Sequence, residues 1–225
     1  MHIGLIGGIG PAATDFYHRG LIERHAAAGL PLDLTIAYAD AREMTRNLAS
    51  RDPRRQAEIF VRLVHRLKAA GADAAAITSM GGHFCVRELE AISPLPILNA
   101  LPALDAELAR RRLSRIGIIG TRNVMESGLY GSIAAAEVIA PEGEERDRVH
   151  QAYVDMAVIG RVTGEQRAVF FEAGRRLCDG RGAEAVLLGG TDLFIAFDGH
   201  DAGFPVIDGA AVHVQAIFDA ATPAA

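Results

Sequence analysis

Three short stretches of the chain carry groups that could hold an anion or move a proton. The first, Thr78-Ser79-Met80-Gly81-Gly82-His83-Phe84-Cys85, offers a hydroxyl at Ser79, backbone amides at Gly81 and Gly82, and an imidazole at His83. An imidazole can serve as general acid or base near neutral pH. Ser79 could instead cap a helix by bonding its first N–H groups. In a helix's first turn, the positive end of the dipole would hold His83 in its neutral form. Cys85 fits a small buried hydrophobe better than a nucleophile. The second stretch, Gly189-Gly190-Thr191-Asp192, adds a carboxylate, which could do acid–base work or simply favour a helix start. The third, Gly7-Gly8-Ile9-Gly10-Pro11-Ala12-Ala13-Thr14, reads as a turn from a strand into a helix. Glycines allow the tight turn, and the free N–H groups of a helix start suit a carboxylate. A turn needed only for packing is the plainer alternative.

Other chemistries fit less well. A dinucleotide site would need a third glycine where Pro11-Ala12-Ala13 stands, and Asp40 lies far for the ribose acid. The single lysine, Lys68, ends a basic helical stretch, which is badly placed for a pyridoxal Schiff base. Asp198-Gly199-His200-Asp201 is too compressed for a metal site and reads as a turn. Two cysteines, Cys85 and Cys178, make neither a disulfide framework nor a zinc pattern. No cofactor and no metal are expected. The net charge of −5 comes from interleaved acids and bases, so no basic stripe for nucleic acid exists. No apolar run reaches the roughly 18–20 residues that cross a bilayer. The start, Ile3-Gly4-Leu5-Ile6, lacks a basic leader, so the cytoplasm is the expected location.

The elements that must position these loops follow from an internal repeat. His2-Ile3-Gly4-Leu5-Ile6-Gly7-Gly8 recurs as Arg115-Ile116-Gly117-Ile118-Ile119-Gly120-Thr121. Gly71–Ser79 recurs as Gly182–Gly190, and Leu95-Pro96-Ile97-Leu98-Asn99 as Phe204-Pro205-Val206-Ile207-Asp208. The offsets are 113, 111 and 109, in the same order along the chain. Each run is short, apolar and bounded by Gly or Pro, which reads as a strand buried on both faces of a parallel sheet. Leu34–Tyr38 is a further strand candidate. Helical patterns intervene. Asp52 caps and Pro53 opens one, with Ile59, Phe60, Leu63, Val64 and Leu67 on one face, and Gly164–Cys178 forms another. Strand–helix alternation implies right-handed crossovers. The expected fold is α/β: two similar doubly wound parallel-sheet domains related by pseudo-two-fold symmetry, each a three-layer αβα sandwich. The expected domains are residues 1–98 with 209–225, and residues 99–208. Half the residues are hydrophobic and 23% charged, enough for two cores and against disorder. Ligands bind beyond the carboxyl ends of such strands, so the site is expected in the cleft between the halves, with Ser79 and Gly190 at equivalent points.

These motifs resemble the cofactor-independent aspartate/glutamate racemase family over nearly the whole chain. The family opens with a strand and Gly-Gly-Met-Gly-Pro-x-Ala-Thr, matched here by Gly7–Thr14. Its loop Cys-Asn-Thr-x-His is matched by Ser79–His83, and its Gly-Cys-Thr-Glu by Gly189–Asp192. Gly120-Thr121-Arg122, Met125-Glu126, Tyr130, Pro141-Glu142, Glu145-Arg146 and the terminal Val206-Ile207-Asp208 with His213 add to the likeness. The resemblance implies a two-domain fold whose last helix returns to the first domain, and a homodimer. In the family two cysteines flank the substrate α-carbon, one taking and one delivering a proton. Ser79 and Gly190 stand at those positions here, and Met80 and Gly81 replace the loop's Asn and Thr.

Three readings follow from this. The first is a racemase-like isomerase acting on a small amino acid or related carboxylate. Its acid–base set would come from Ser79, His83 and Asp192, or a displaced Cys85. Gly8, Ile9, Gly10, Met80, Gly81, Gly82, Thr121, Gly190 and Thr191 would line the ligand. The second is a superfamily lyase or decarboxylase that protonates on one face only. The third is a non-catalytic carboxylate binder.

Overall fold

The computed structural model describes residues 1–222, and the chain folds into two compact units: residues 1–100 with the segment from His213 on, and residues 101–212. The first unit runs β1 (His2–Gly7), α1 (Pro11–Ala28), β2 (Asp33–Tyr38), α2 (Ala41–Ala49), α3 (Pro53–Ala69), β3 (Ala74–Ile77) and α4 (Val86–Ile92). The next helix, α5 (Ala100–Arg110), starts at the last residue of the 1–100 stretch and from Leu101 on belongs to the second unit. There follow β4 (Arg115–Ile119), α6 (Arg122–Glu126), β5 (Glu137–Ile139), α7 (Gly143–Ile159), α8 (Gly164–Arg175), β6 (Ala185–Leu188), α9 (Phe194–Phe197) and β7 (Val206–Asp208). The last helix, α10 (Gly209–Ala221), supplies the segment that belongs to the first unit.

Both sheets are wholly parallel. The first has the order β2-β1-β3 and the second β5-β4-β6-β7. Each winds outward in both directions from its first strand, as in a doubly wound fold. β1 pairs with β2 from His2–Asp33 to Gly7–Tyr38, and with β3 from Ile3–Ala74 to Ile6–Ile77. β4 pairs with β6 from Ile116–Ala185 to Ile119–Leu188. The strands β3 and β6 are buried at every residue, which is why their sequences show no alternation.

The repeat extends to details of packing. A Cβ added to Gly4 in β1 would lie 2.9 Å from Leu67 Cδ1, and one added to Gly117 in β4 would lie 2.9 Å from Leu177 Cδ1. In each unit a leucine at the end of the helix preceding the third strand presses on a strand backbone that has no side chain. The halves differ at their last strand. Leu95–Asn99 does not form the strand expected of it: Ile97 makes a single bridge to Ala75, whereas β7 pairs with β6 through three residues. The bridge is held by Ala75 N–H on Pro96 O at 2.9 Å and Leu98 N–H on Ala75 O at 2.7 Å, while Leu95 N–H goes to Ser93 Oγ at 3.3 Å.

The helices carry the signals read in the sequence. Asp52 accepts from Arg55 N–H at 3.0 Å and Pro53 occupies the first turn of α3, whose apolar face buries Phe60, Val64 and Leu67. Thr163 and Gln166 form a reciprocal capping box at the start of α8, which ends in a π turn over Arg176–Gly180. From His213 on, α10 packs against α1. Val214 sits 3.0 Å from where a Gly20 Cβ would be, and the Phe218 ring meets His25 edge-on at 5.0 Å. Among the described residues no helix is long and apolar enough to cross a membrane.

Candidate functional site

In each sheet the strand order reverses beside the first strand, so the loops after β1 and β3 are neighbours, as are those after β4 and β6. In the first unit, Gly8 has φ +88°, and a Cβ there would lie 2.6 Å from the Tyr38 ring and 2.7 Å from Ala39 O. Only glycine fits both the torsion and the space. Its N–H donates to Thr14 Oγ1 at 2.9 Å, and the Thr14 hydroxyl donates to Gly10 O at 3.0 Å. The Gly8 amide therefore serves the turn and is not presented to an anion, which narrows the carboxylate role expected of this loop. Gly10 is the N-cap of α1, with Pro11 in the first turn. Ile9 reaches across to the neighbouring loop, where a Cβ on Gly82 would be 3.4 Å from Ile9 Cδ1.

The loop after β3 tightens into a 3₁₀ turn over Gly81–Cys85. Ser79 Oγ accepts from Gly82 N–H at 3.2 Å, so the hydroxyl caps the turn. Met80 is fully buried. His83 is buried too, and its tautomer follows from its partners. A carbonyl oxygen can only accept, so Nδ1–H donates to Ser79 O at 2.7 Å. The other nitrogen, Nε2, accepts from Ala100 N–H at 3.3 Å. Desolvation lowers its pKa to about 4, against which the bond to Ser79 acts weakly. The neutral ring thus arises from burial rather than from a helix dipole. Beside it, His213 donates from Nε2 to Leu98 O at 2.8 Å and accepts at Nδ1 from Tyr17 Oη at 2.9 Å. The two imidazoles meet edge-on with centroids 5.5 Å apart, and burial holds His213 down to about 3. Cys85 is fully buried, its thiol donates to Gly82 O at 3.4 Å, and desolvation pushes its pKa up to about 12. A thiolate is not available there at neutral pH.

In the second unit the backbones of the two loops nearly touch. A Cβ on Gly120 would lie 3.0 Å from Gly189 C and 3.1 Å from Gly190 N. Thr121 precedes α6 without capping it, and its buried Oγ1 has no hydrogen-bond partner among the described residues. The Arg122 N–H goes instead to His150 Nδ1 at 3.2 Å. Thr191 and Asp192 are buried in a short 3₁₀ turn, Thr191–Leu193. Asp192 Oδ2 accepts from the Tyr153 hydroxyl at 3.1 Å. Tyr153 comes from α7 and its ring lies against Gly190, where a Cβ would be 2.3 Å from Cε2. Burial and the Asp192 carboxylate raise the phenol's pKa well above its ordinary value.

The structure thus gathers Gly8, Ile9, Gly10, Ser79, Met80, Gly81, Gly82 and His83 at one end of the first sheet. Thr121, Gly190, Thr191 and Asp192 gather at the same end of the second. Sequence reasoning missed Tyr153, Tyr17 and the partnership of His83 with His213. Tyr153 reads in the sequence as one more residue of an amphipathic helix, and no spacing rule could have placed it under Gly190. Among the described residues no cluster of three His, Cys, Asp or Glu side chains could hold a metal. Asp198–Asp201 is an exposed turn, with Gly203 N–H on Asp201 Oδ1 at 2.8 Å.

Several solved structures share this fold. A Yersinia pestis protein described as a candidate Asp/Glu racemase superposes with a TM-score of 0.84 at 27% identity, over 98% of this chain and 99% of that one. An aspartate racemase homologue from Pyrococcus horikoshii gives 0.79 at 22% identity, over 98% of each chain. Glutamate racemase from Francisella tularensis, solved with D-glutamate, gives 0.70 at 17% identity, over 97% of this chain and 80% of that one. A model of the Asp/Glu/Hydantoin racemase family matches residues 6–217, so the chain belongs to that family.

Proposed function

We propose that the protein is a cofactor-independent racemase-like isomerase of a small amino acid or related carboxylate. The family match over residues 6–217 supports the reaction class. The observation that carries the reading to this chain is the buried carboxylate Asp192, hydrogen-bonded to a phenol at the carboxyl end of β6. Aligned with the family's motifs, Ser79 and Gly190 replace the two thiols, so the acid–base set differs from the family's. Asp192 supplies the carboxylate, Ser79 a hydroxyl, and His83 fixes the Ser79 loop through its two backbone bonds. Thr121, whose hydroxyl has no hydrogen-bond partner among the described residues, is placed to bond a polar ligand group.

The test is incubation of the purified protein in D₂O with each enantiomer of candidate amino acids. Deuterium at the α-carbon together with loss of optical activity is the expected result. Saturable binding with no exchange for any acid would refute the isomerase reading. A second reading, a lyase or decarboxylase that protonates on one face, is favoured by the space at Gly190, which Tyr153 fills so that no thiol fits there. Release of carbon dioxide or an elimination product without α-exchange would select it.

A further inference from the structure

Tyr153 belongs to none of the loops that frame the strand ends, yet it occupies the space at position 190. A Cβ built on Gly190 would lie 2.3 Å from Tyr153 Cε2, 2.7 Å from Cζ and 3.0 Å from Cδ2. The ring therefore stands where any side chain at 190 would have to start. Its hydroxyl donates to Asp192 Oδ2 at 3.1 Å, and the two residues are 8% and 2% exposed. A phenol and a carboxylate sharing one proton in a desolvated place form a unit through which a proton can pass without either group becoming an isolated charge.

We propose that Tyr153 and Asp192 act together as the proton-transfer group of the second unit, taking the place of a side chain at position 190. The phenol oxygen forms a bond to the α-hydrogen of the bound amino acid or carboxylate, and the phenol's own proton moves to Asp192 Oδ2. The electron pair of the broken C–H bond remains on the ligand as an enediolate. Return of a proton reverses each movement, from Asp192 to the phenol and from the phenol to carbon. Charge begins on Asp192 and ends on the ligand, and a free phenolate never forms. This matches a phenol whose ionisation is strongly opposed by burial and by its neighbour. The assignment rests on the isomerase reading above and names its second acid–base group.

The experiment uses the full chain and follows α-deuterium exchange in D₂O with each enantiomer of aspartate, glutamate, alanine, valine and methionine. Tyr153→Phe removes only the hydroxyl and leaves the ring in its place against Gly190. Exchange should fall by about 100-fold or more in kcat with KM little changed, the usual scale for losing a positioned acid or base. Asp192→Asn should cause a comparable loss. The double variant should be no worse than the poorer single one, because two residues that act as a unit do not add. A purely structural tyrosine would instead lower the urea midpoint and leave kcat within about threefold. Tyr153→Phe exchange within that range of wild type overturns the assignment and leaves the isomerase reading standing. Absence of exchange in the wild-type protein with all ten probes overturns both.

Discussion

The buried pair His83 and His213 makes the first unit sensitive to acid in a way that can be worked out beforehand. Both rings are neutral, with Nδ1–H of His83 on Ser79 O and Nε2–H of His213 on Leu98 O. A proton added to His83 Nε2 would face the Ala100 N–H that this nitrogen now accepts, and a second charge would lie across a 5.5 Å ring contact. The folded pKa values are held at about 4 and about 3, against an ordinary 6.5. The folded values are depressed, so the unfolded chain takes up these protons first as the pH falls. Stability is thus fully present above pH 6.5 and is lost as the pH drops toward 4. Each histidine contributes a slope of about 1.4 kcal/mol per pH unit in that window. By pH 4 the two together cost roughly 6 kcal/mol, comparable with the whole stability of a small domain. Urea unfolding between pH 7.5 and 4.5 measures the slope, and His213→Gln should remove about half of the part due to the pair. Proton NMR offers an independent check, since the C2–H signals of these two rings should not titrate above pH 5. A normal titration of either ring near pH 6.5 in the folded protein, or a slope unchanged in His213→Gln, would refute the reasoning.

Two further expectations concern packing and reactivity. Gly190→Ala should cost about 1–3 kcal/mol in urea unfolding, because the added methyl meets a buried ring held by Asp192. Shortening the obstacle in Gly190→Ala/Tyr153→Leu should recover part of that loss, and equal stability of Gly190→Ala and wild type would contradict the contact. At pH 8, iodoacetamide should modify Cys178, which is partly exposed, and leave Cys85 intact while the protein is folded. Mass spectrometry of tryptic peptides reads this out, and rapid labelling of Cys85 would contradict its burial.

Much of this architecture was legible because it is local. β1, β3, β4 and β6 are apolar runs ended by Gly or by small polar residues, and Asp52-Pro53 marks the start of α3. The run Leu95–Asn99 looked like β7 in sequence. In the structure it pairs through one bridge, Ile97 to Ala75, with Ser93 Oγ holding the Leu95 amide. The loops that carry Ser79 and Asp192 were legible because glycines mark them. Their settings were not, since each depends on a residue distant in sequence. His83 needs His213 and Ala100 to be understood, and Gly190 needs Tyr153. The Gly8 amide was expected to face an anion. The competing bond to Thr14 lies within the same motif, and residue types alone do not decide between the two.

The glycine–leucine contacts at Gly4–Leu67 and Gly117–Leu177 say something about how such a chain can change. The two halves differ at most positions outside the repeat, yet each has a bare strand backbone under a leucine at the same separation. The two halves share this steric constraint in the scaffold while their strand-end loops carry different residues, Ser-Met-Gly-Gly-His in one and Gly-Thr-Asp in the other. Mutational tolerance should therefore be steeply graded along each half. Changes at the glycine–leucine contact should destabilise either half by about 1–3 kcal/mol, whereas changes at the strand ends can alter the chemistry of one half at a time.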